Sequence, residues 1–136
     1  MEALTSVCLD TSFLVDFLRG AHSTRTTYQR LRSEGYRLAT TTITAFEVFR
    51  GVDKRGRIKH EEQAVRRLFS RLPVWTLDVK SAELGSRVYT ELERTGNVIG
   101  INDCLVAAIA LSNGCRKIVS NDSHFQRIPN IEMISY

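Results

Sequence analysis

The chain has 136 residues, 43% hydrophobic and 25% charged, ordinary globular values that exclude a disordered or fibrous architecture. Its net charge of +4 suits a polyanionic partner better than a basic one. The longest fully apolar run, Cys104 to Leu111, has eight residues and cannot cross a bilayer, and the segment from Glu2 to Leu9 lacks the pattern of a secretory leader, so no membrane association and a cytoplasmic address are expected.

Leu4 to Leu9 reads as a strand, and Asp10-Thr11-Ser12 can cap the helix that follows. In Ser12 to Arg19 the residues Phe13, Leu14, Phe17 and Leu18 share a face and Gly20 ends the helix, with Asp16 on the solvated side. A second helix covers Ser23 to Glu34, and Arg37 to Thr42 is a threonine-rich strand. The period then changes: Ile43, Phe46, Val48, Phe49 and Val52 form the apolar side of a helix over Ile43 to Val52. Glu47 points away from that side, and small neighbours at Thr44 and Gly51 leave its carboxylate approachable.

Ala64, Val65, Leu68, Phe69 and Leu72 trace an amphipathic helix ended by Pro73. Val74 to Leu77 is a strand, Asp78 caps the next helix, and Val79, Ala82, Val88, Tyr89 and Leu92 form one side of the helix Val79 to Thr95. Asn102 to Asn113 is apolar nearly all round, the mark of a buried helix, and it carries Asp103 in its first turn. Lys117 to Ser120 is a strand, Asn121 to His124 a polar loop, and Ile131 to Ile134 a last strand. Strands alternating with helices indicate one α/β domain over residues 1–136, a parallel sheet covered on both faces in a three-layer α/β/α sandwich.

In such sheets ligands lie beyond the carboxyl ends of the strands, where Asp10, Glu47, Asp103 and Asp122 are expected to meet. Gathered carboxylates repel by roughly 4 kcal/mol per close pair at an effective dielectric near 20, unless a divalent cation lies between them. Singly, each acid has a structural reading: a strand-to-helix turn for Asp10, a solvated helix face for Glu47, an N-cap for Asp103 and an Asx turn for Asp122. Together, in a basic chain, they suit Mg²⁺-assisted phosphodiester hydrolysis.

Between Arg50 and Arg71 eight Lys/Arg face three acids, which fits either a solvated helix face or contact with phosphates through residues such as Arg50, Lys54, Arg55 and Arg57. Gly51 to Gly56 has the spacing of a phosphate-binding loop but is followed by Arg57-Ile58 in place of Lys-Ser/Thr. A haloacid-dehalogenase-type phosphotransferase would need an Asp where Ser12 stands, and GxSxG and HExxH are absent. His22, His60 and His124 lack ligand spacing, and His124 reads as a surface loop residue. Cys8, Cys104 and Cys115, without CxxC spacing, suit buried reduced thiols.

The segments VCLDTSFLVDFLRG, TTTITAFEVFRGV, LPVWTLDVKSAELGSRVYTEL, GNVIGINDCLVAAIALSNG and KIVSNDSHFQRI, in this order over essentially the whole chain, resemble PIN-domain ribonucleases, in particular the VapC-type toxins of VapBC toxin–antitoxin pairs. The resemblance implies Mg²⁺ or Mn²⁺ held by Asp10, Glu47, Asp103 and Asp122, and a nearby hydroxyl from Thr11 or Ser12. Related sequences carry the last carboxylate at either of two loop positions, here Asp122 and His124, which leaves Ser120, Asn121 or a water to share its duties. It further implies endoribonuclease action on tRNA or rRNA by metal-activated water, a homodimer, and a VapB-type antitoxin covering the acidic cleft. Phe46 and Phe49 fit core packing better than such an interface. Two alternatives stay open, a non-catalytic RNA-binding PIN module and a processing or DNA-acting PIN nuclease without an antitoxin.

Overall fold

A computed structural model describes residues 5–136; Glu2 and the predicted strand start at Leu4 lie outside the described residues. The elements are β1 (Ser6–Leu9), α1 (Thr11–Leu18), α2 (His22–Ser33), β2 (Arg37–Thr41), α3 (Thr42–Lys54), α4 (Lys59–Ser70), β3 (Val74–Trp75), α5 (Val79–Arg94), α6 (Ile101–Ser112), β4 (Lys117–Val119), a 3-10 turn (Ser123–Arg127) and β5 (Glu132–Ile134). The strands form one parallel sheet in the order β3-β2-β1-β4-β5, with Cys8 of β1 beside Ala39 of β2 and Ile118 of β4.

Successive strand side chains point to opposite faces, and that alternation divides the core in two. Val7, Leu9 and Val119 pack with Phe13 and Leu14 of α1, Leu31 of α2, Val48 and Val52 of α3 and Val65 and Leu68 of α4. Cys8 and Ile118 face the other way, onto Leu92 of α5, Cys104, Val106 and Ala107 of α6, and Phe125 of the 3-10 turn. This is the expected three-layer sandwich, and all three cysteines are buried and free. The chain fills the sheet outward from β1 on one side, then crosses to the other, so the direction of winding reverses between β1 and β4. At that reversal the connections diverge from the carboxyl ends of the strands and leave a crevice.

Two helix faces differ from the expected ones. Val79 is 84% exposed and Ala82 is exposed too; α5 buries the expected Leu92, packs Val88 and Tyr89 beside it, and adds Ser81 and Gly85. The reason is close approach: a Cβ at Gly85 would lie 3.3 Å from both Ala108 Cβ and Leu105 Cδ2 of α6, so small residues mark the packed face. On α3 the buried stripe is Thr44, Val48 and Val52, while Phe49 stacks against Phe69 with centroids 5.8 Å apart. Phe46 lies opposite that stripe, 63% exposed, and is not a core residue.

Smaller corrections concern the ends. Strand β3 is two residues long, short of the predicted Val74 to Leu77, and the loop expected over Asn121 to His124 runs into the 3-10 turn that buries Phe125. Asp78 is the N-cap of α5, reciprocally bonded with Ser81. Asp16 is half-buried, its carboxylate accepting a long 3.5 Å contact from the Tyr136 hydroxyl, instead of freely solvated.

Candidate metal centre

Each acid reaches the crevice for a local reason. Asp10 directly follows β1 and is the N-cap of α1: its Oδ1 accepts from the Phe13 N–H at 2.9 Å. Helix α6 leads back to the start of β4, so its N-terminus, with Asp103 in the first turn, lies at the carboxyl edge of the sheet. Asp122 follows β4 and caps the 3-10 turn, accepting from the His124 N–H at 2.9 Å. Glu47 projects from the middle of α3, which follows β2, and its Oε1 accepts from the Thr11 hydroxyl at 2.7 Å.

The electrostatics tie the four together. Asp10 is only 6% exposed, and burial pushes its carboxyl from 3.8 up to about 6. The Ser120 hydroxyl and the Phe13 N–H oppose that rise, and the negative charges of Asp103 and Asp122 add to it. Asp103 is raised as well, by burial first, then by Asp122 and Glu47, with His124 acting the other way. Buried carboxylates that raise one another's pKa carry charge that a cation would neutralise.

Nearest to one another are Asp103, Asp122 and His124, whose candidate ligand atoms all lie within 4.8 Å. The His124 Nδ1 also stands 3.4 Å from Asp122 Oδ1. His124 is exposed on its loop, as expected, and its ring also offers a nitrogen to this group of candidate ligand atoms. Ligand spacing along the sequence could not find it, because its companions come from α6 and its own loop; the signal was its place two residues after Asp122.

The supporting residues divide. Thr11 faces Glu47, whereas Ser12 is exposed and bonds to no described residue. Ser120 is fully buried and accepts from the Asp122 N–H at 2.9 Å while its hydroxyl steadies Asp10. Asn121 is not brought into the cluster: its amide donates to the Tyr136 carbonyl (2.8 Å) and accepts from the Tyr136 N–H (2.9 Å), pinning the end of the chain beside the loop.

Among the basic residues, Arg50 and Lys54 follow Glu47 by three and seven positions, on the same side of α3. Arg55 is instead held by Glu61 at 3.0 Å and Arg57 by Asp53 at 3.4 Å, and Arg66 pairs with Glu62.

The PIN-domain family profile matches residues 7–131. The chain belongs to the PIN-domain family, among the VapC ribonucleases. This PIN chain is 30% identical over 139 residues to Ribonuclease VapC11 of Mycobacterium tuberculosis, covering 96% of this chain and 98% of the relative. It is 29% identical over 105 residues to the tRNA(fMet)-specific endonuclease VapC of Salmonella typhimurium, covering 77% and 80%. Among solved structures it resembles that of VapBC2 from Rickettsia felis bound to a promoter DNA fragment, with a TM-score of 0.87 and 25% identity over 97% of this chain and 99% of the other.

Proposed function

We propose that this PIN domain is a divalent-metal-dependent endoribonuclease, the toxin half of a VapBC pair, with Asp10, Glu47, Asp103, Asp122 and His124 as its metal centre. The carrying observation is the convergence of Asp103, Asp122 and His124 within 4.8 Å, backed by Asp10 and Glu47, where the winding of the sheet reverses. The donor set fits a divalent cation: carboxylate oxygens suit Mg²⁺ and Mn²⁺, and Mn²⁺ also accepts an imidazole nitrogen.

When bound, the ion supplies a water of lowered pKa and neutralises charge developing on the phosphate. The protein's own residues do the rest. Thr11 holds the Glu47 carboxylate in place, and Ser120 with the Phe13 N–H keeps Asp10 charged and aimed. Arg50 and Lys54, exposed on the same side of α3 as Glu47, receive backbone phosphates. The attacking water would bond its oxygen to phosphorus as the bond to one ribose oxygen breaks, with a proton from that water ending on the ribose oxygen. A tRNA or rRNA is the substrate class this reading favours; the Salmonella relative named for tRNA(fMet) supports it.

Two surfaces fit the protein partners. A groove of about 370 Å³ between α1, α3 and α4, walled by Val15, Leu18, Val48, Val52 and Val65, fits the apolar side of an antitoxin segment reaching toward the acids. The VapBC assembly of the Rickettsia structure supports that partner. A second apolar surface, Ile101 at 60% exposure with Tyr89 and Leu105 along a cleft between α5 and α6, fits a homodimer contact. No helix among the described residues is long and apolar enough to cross a membrane.

The test is cleavage of a tRNA pool with Mg²⁺ or Mn²⁺ supplied, alongside calorimetry of metal uptake. Asp103→Asn should remove both cleavage and carboxylate-dependent uptake without lowering the melting temperature of the metal-free protein. Cleavage that persists in excess EDTA sinks the mechanism, and absence of Mn²⁺ uptake by the unaltered protein favours a non-catalytic binding module.

A further inference from the structure

A second run of unpaired positive charge lies on and around α2; one of its arginines, Arg19, borders the groove beside α1. Between Phe17 and Arg37 the chain has five arginines and a single acid, Glu34. None of the five forms an ion pair with a described residue, unlike Arg55, Arg57 and Arg66 of the more basic-looking segment. Two of them are also pre-ordered. The Arg25 guanidinium carbon lies 5.4 Å from the Phe17 ring centroid, and that of Arg32 lies 5.9 Å from Tyr28. The two rings are themselves 4.8 Å apart at 30°, so the four side chains form a continuous stack, Arg25–Phe17–Tyr28–Arg32.

This stack lines an open depression of about 580 Å³, shared with the neutral donors Gln29 and Ser33. The depression contains no acid. A guanidinium resting on a ring loses little further freedom when its outward donors meet an anion, and flat aromatic and guanidinium faces accept stacked bases of any sequence. Helix α2 ends at the start of β2, at the opposite edge of the sheet from the acids. A ligand held here is therefore not at the cleaved bond.

We propose that the outer face of α2, built on the Arg25–Phe17–Tyr28–Arg32 stack, is a second RNA-binding surface that grips the substrate away from the cleavage site. It rests on the ribonuclease reading and extends it: only an RNA large enough to reach from the acids to α2 uses both contacts, so the surface selects folded RNA over short oligonucleotides.

Binding of fluorescent tRNA and of a short single-stranded oligonucleotide to the metal-free protein in EDTA, read by anisotropy over a range of salt, tests the surface independently of catalysis. Arg25→Glu with Arg32→Glu should weaken tRNA binding by about tenfold or more at low salt and make the log–log salt slope shallower by about two, with oligonucleotide binding weakened by a smaller factor. Arg25→Lys with Arg32→Lys, which keeps the charge and loses the planar stack, should restore the slope but only part of the affinity. Equal tRNA affinity and slope in the Glu variant and the unaltered protein overturn the proposal while leaving metal-dependent cleavage standing. Loss of antitoxin binding with unchanged RNA affinity also overturns it, in favour of a protein contact. Failure of the unaltered protein to cut RNA with Mn²⁺ sinks the ribonuclease reading alone.

Discussion

The Thr11 hydroxyl donates to Glu47 Oε1 at 2.7 Å, joining the first residue of α1 to the middle of α3. The bond spans 36 residues, so it holds the Glu47 carboxylate and restrains two helices at once. A hydrogen bond to a charged group contributes about 1.5–3 kcal/mol when protected from water, and this one is partly buried. Thr11→Val keeps the shape and removes the donor. It should weaken Mn²⁺ binding by about three- to tenfold in calorimetry, for a loss of stability near 1 kcal/mol. Thr11→Ser should bind as the unaltered protein does; equal affinity in Thr11→Val would show that Glu47 needs no holding.

Asp10 makes the metal-free protein pH-sensitive. Its carboxyl titrates near 6 in the fold against an ordinary value of 3.8, chiefly because it is buried. A raised folded pKa means that the stability linked to its proton is fully present below 3.8 and is lost as pH rises through about 6. Two units correspond to about 3 kcal/mol. Asp10→Asn removes the charge but keeps an N-cap acceptor for Phe13. In EDTA, the variant's stability gain over the unaltered protein in urea melts should be small at pH 4 and grow to about 2–3 kcal/mol at pH 7.5. A gain that does not change between these pH values rules out the buried charge as its source.

Ser120 connects two acids through one oxygen, accepting from the Asp122 N–H at 2.9 Å and helping to hold Asp10 charged. Ser120→Ala leaves that N–H without its partner and removes an influence that lowers the Asp10 pKa. The fold should lose about 1–2 kcal/mol, and the acidic limb of the cleavage-versus-pH profile should move upward. An unmoved limb with the stability loss intact would confine Ser120 to a structural role.

Much of this arrangement was legible in sequence because the controlling physics is local. Asp10 and Asp78 announce themselves as caps before periodic segments, and β1 and β4 read as short apolar strands ending in polar residues. The misread positions depend on contacts between distant elements. Val79 looks like a core residue by its chemistry, but the space beside α5 is set by Ala108 and Leu105, which admit Gly85 and leave Val79 outside. Phe46 falls off a stripe whose first member, Thr44, is polar by composition yet fully buried and bonded to Thr41. Asn121 reads as a site residue by position, but Tyr136, fifteen residues away, takes its amide. His124 was legible only as the loop position two residues after Asp122; its companion Asp103 arrives from α6.

His124 makes the sharpest statement about the metal. With Asp103 and Asp122 it offers one nitrogen and two oxygens within 4.8 Å, a set less hard than an all-carboxylate one. Imidazole nitrogen favours later first-row ions over Mg²⁺, which keeps to oxygen ligands. The protein should therefore bind Mn²⁺ more tightly than Mg²⁺ by a wider margin than an all-oxygen centre would. His124→Asp converts the set to oxygens and should narrow that margin by about tenfold in competitive calorimetry, chiefly by strengthening Mg²⁺. His124→Ala should weaken Mn²⁺ and leave Mg²⁺ nearly unchanged. If all three proteins keep the same Mn²⁺-to-Mg²⁺ ratio, the ring does not touch the ion, and its 3.4 Å approach to Asp122 serves only to orient that carboxylate.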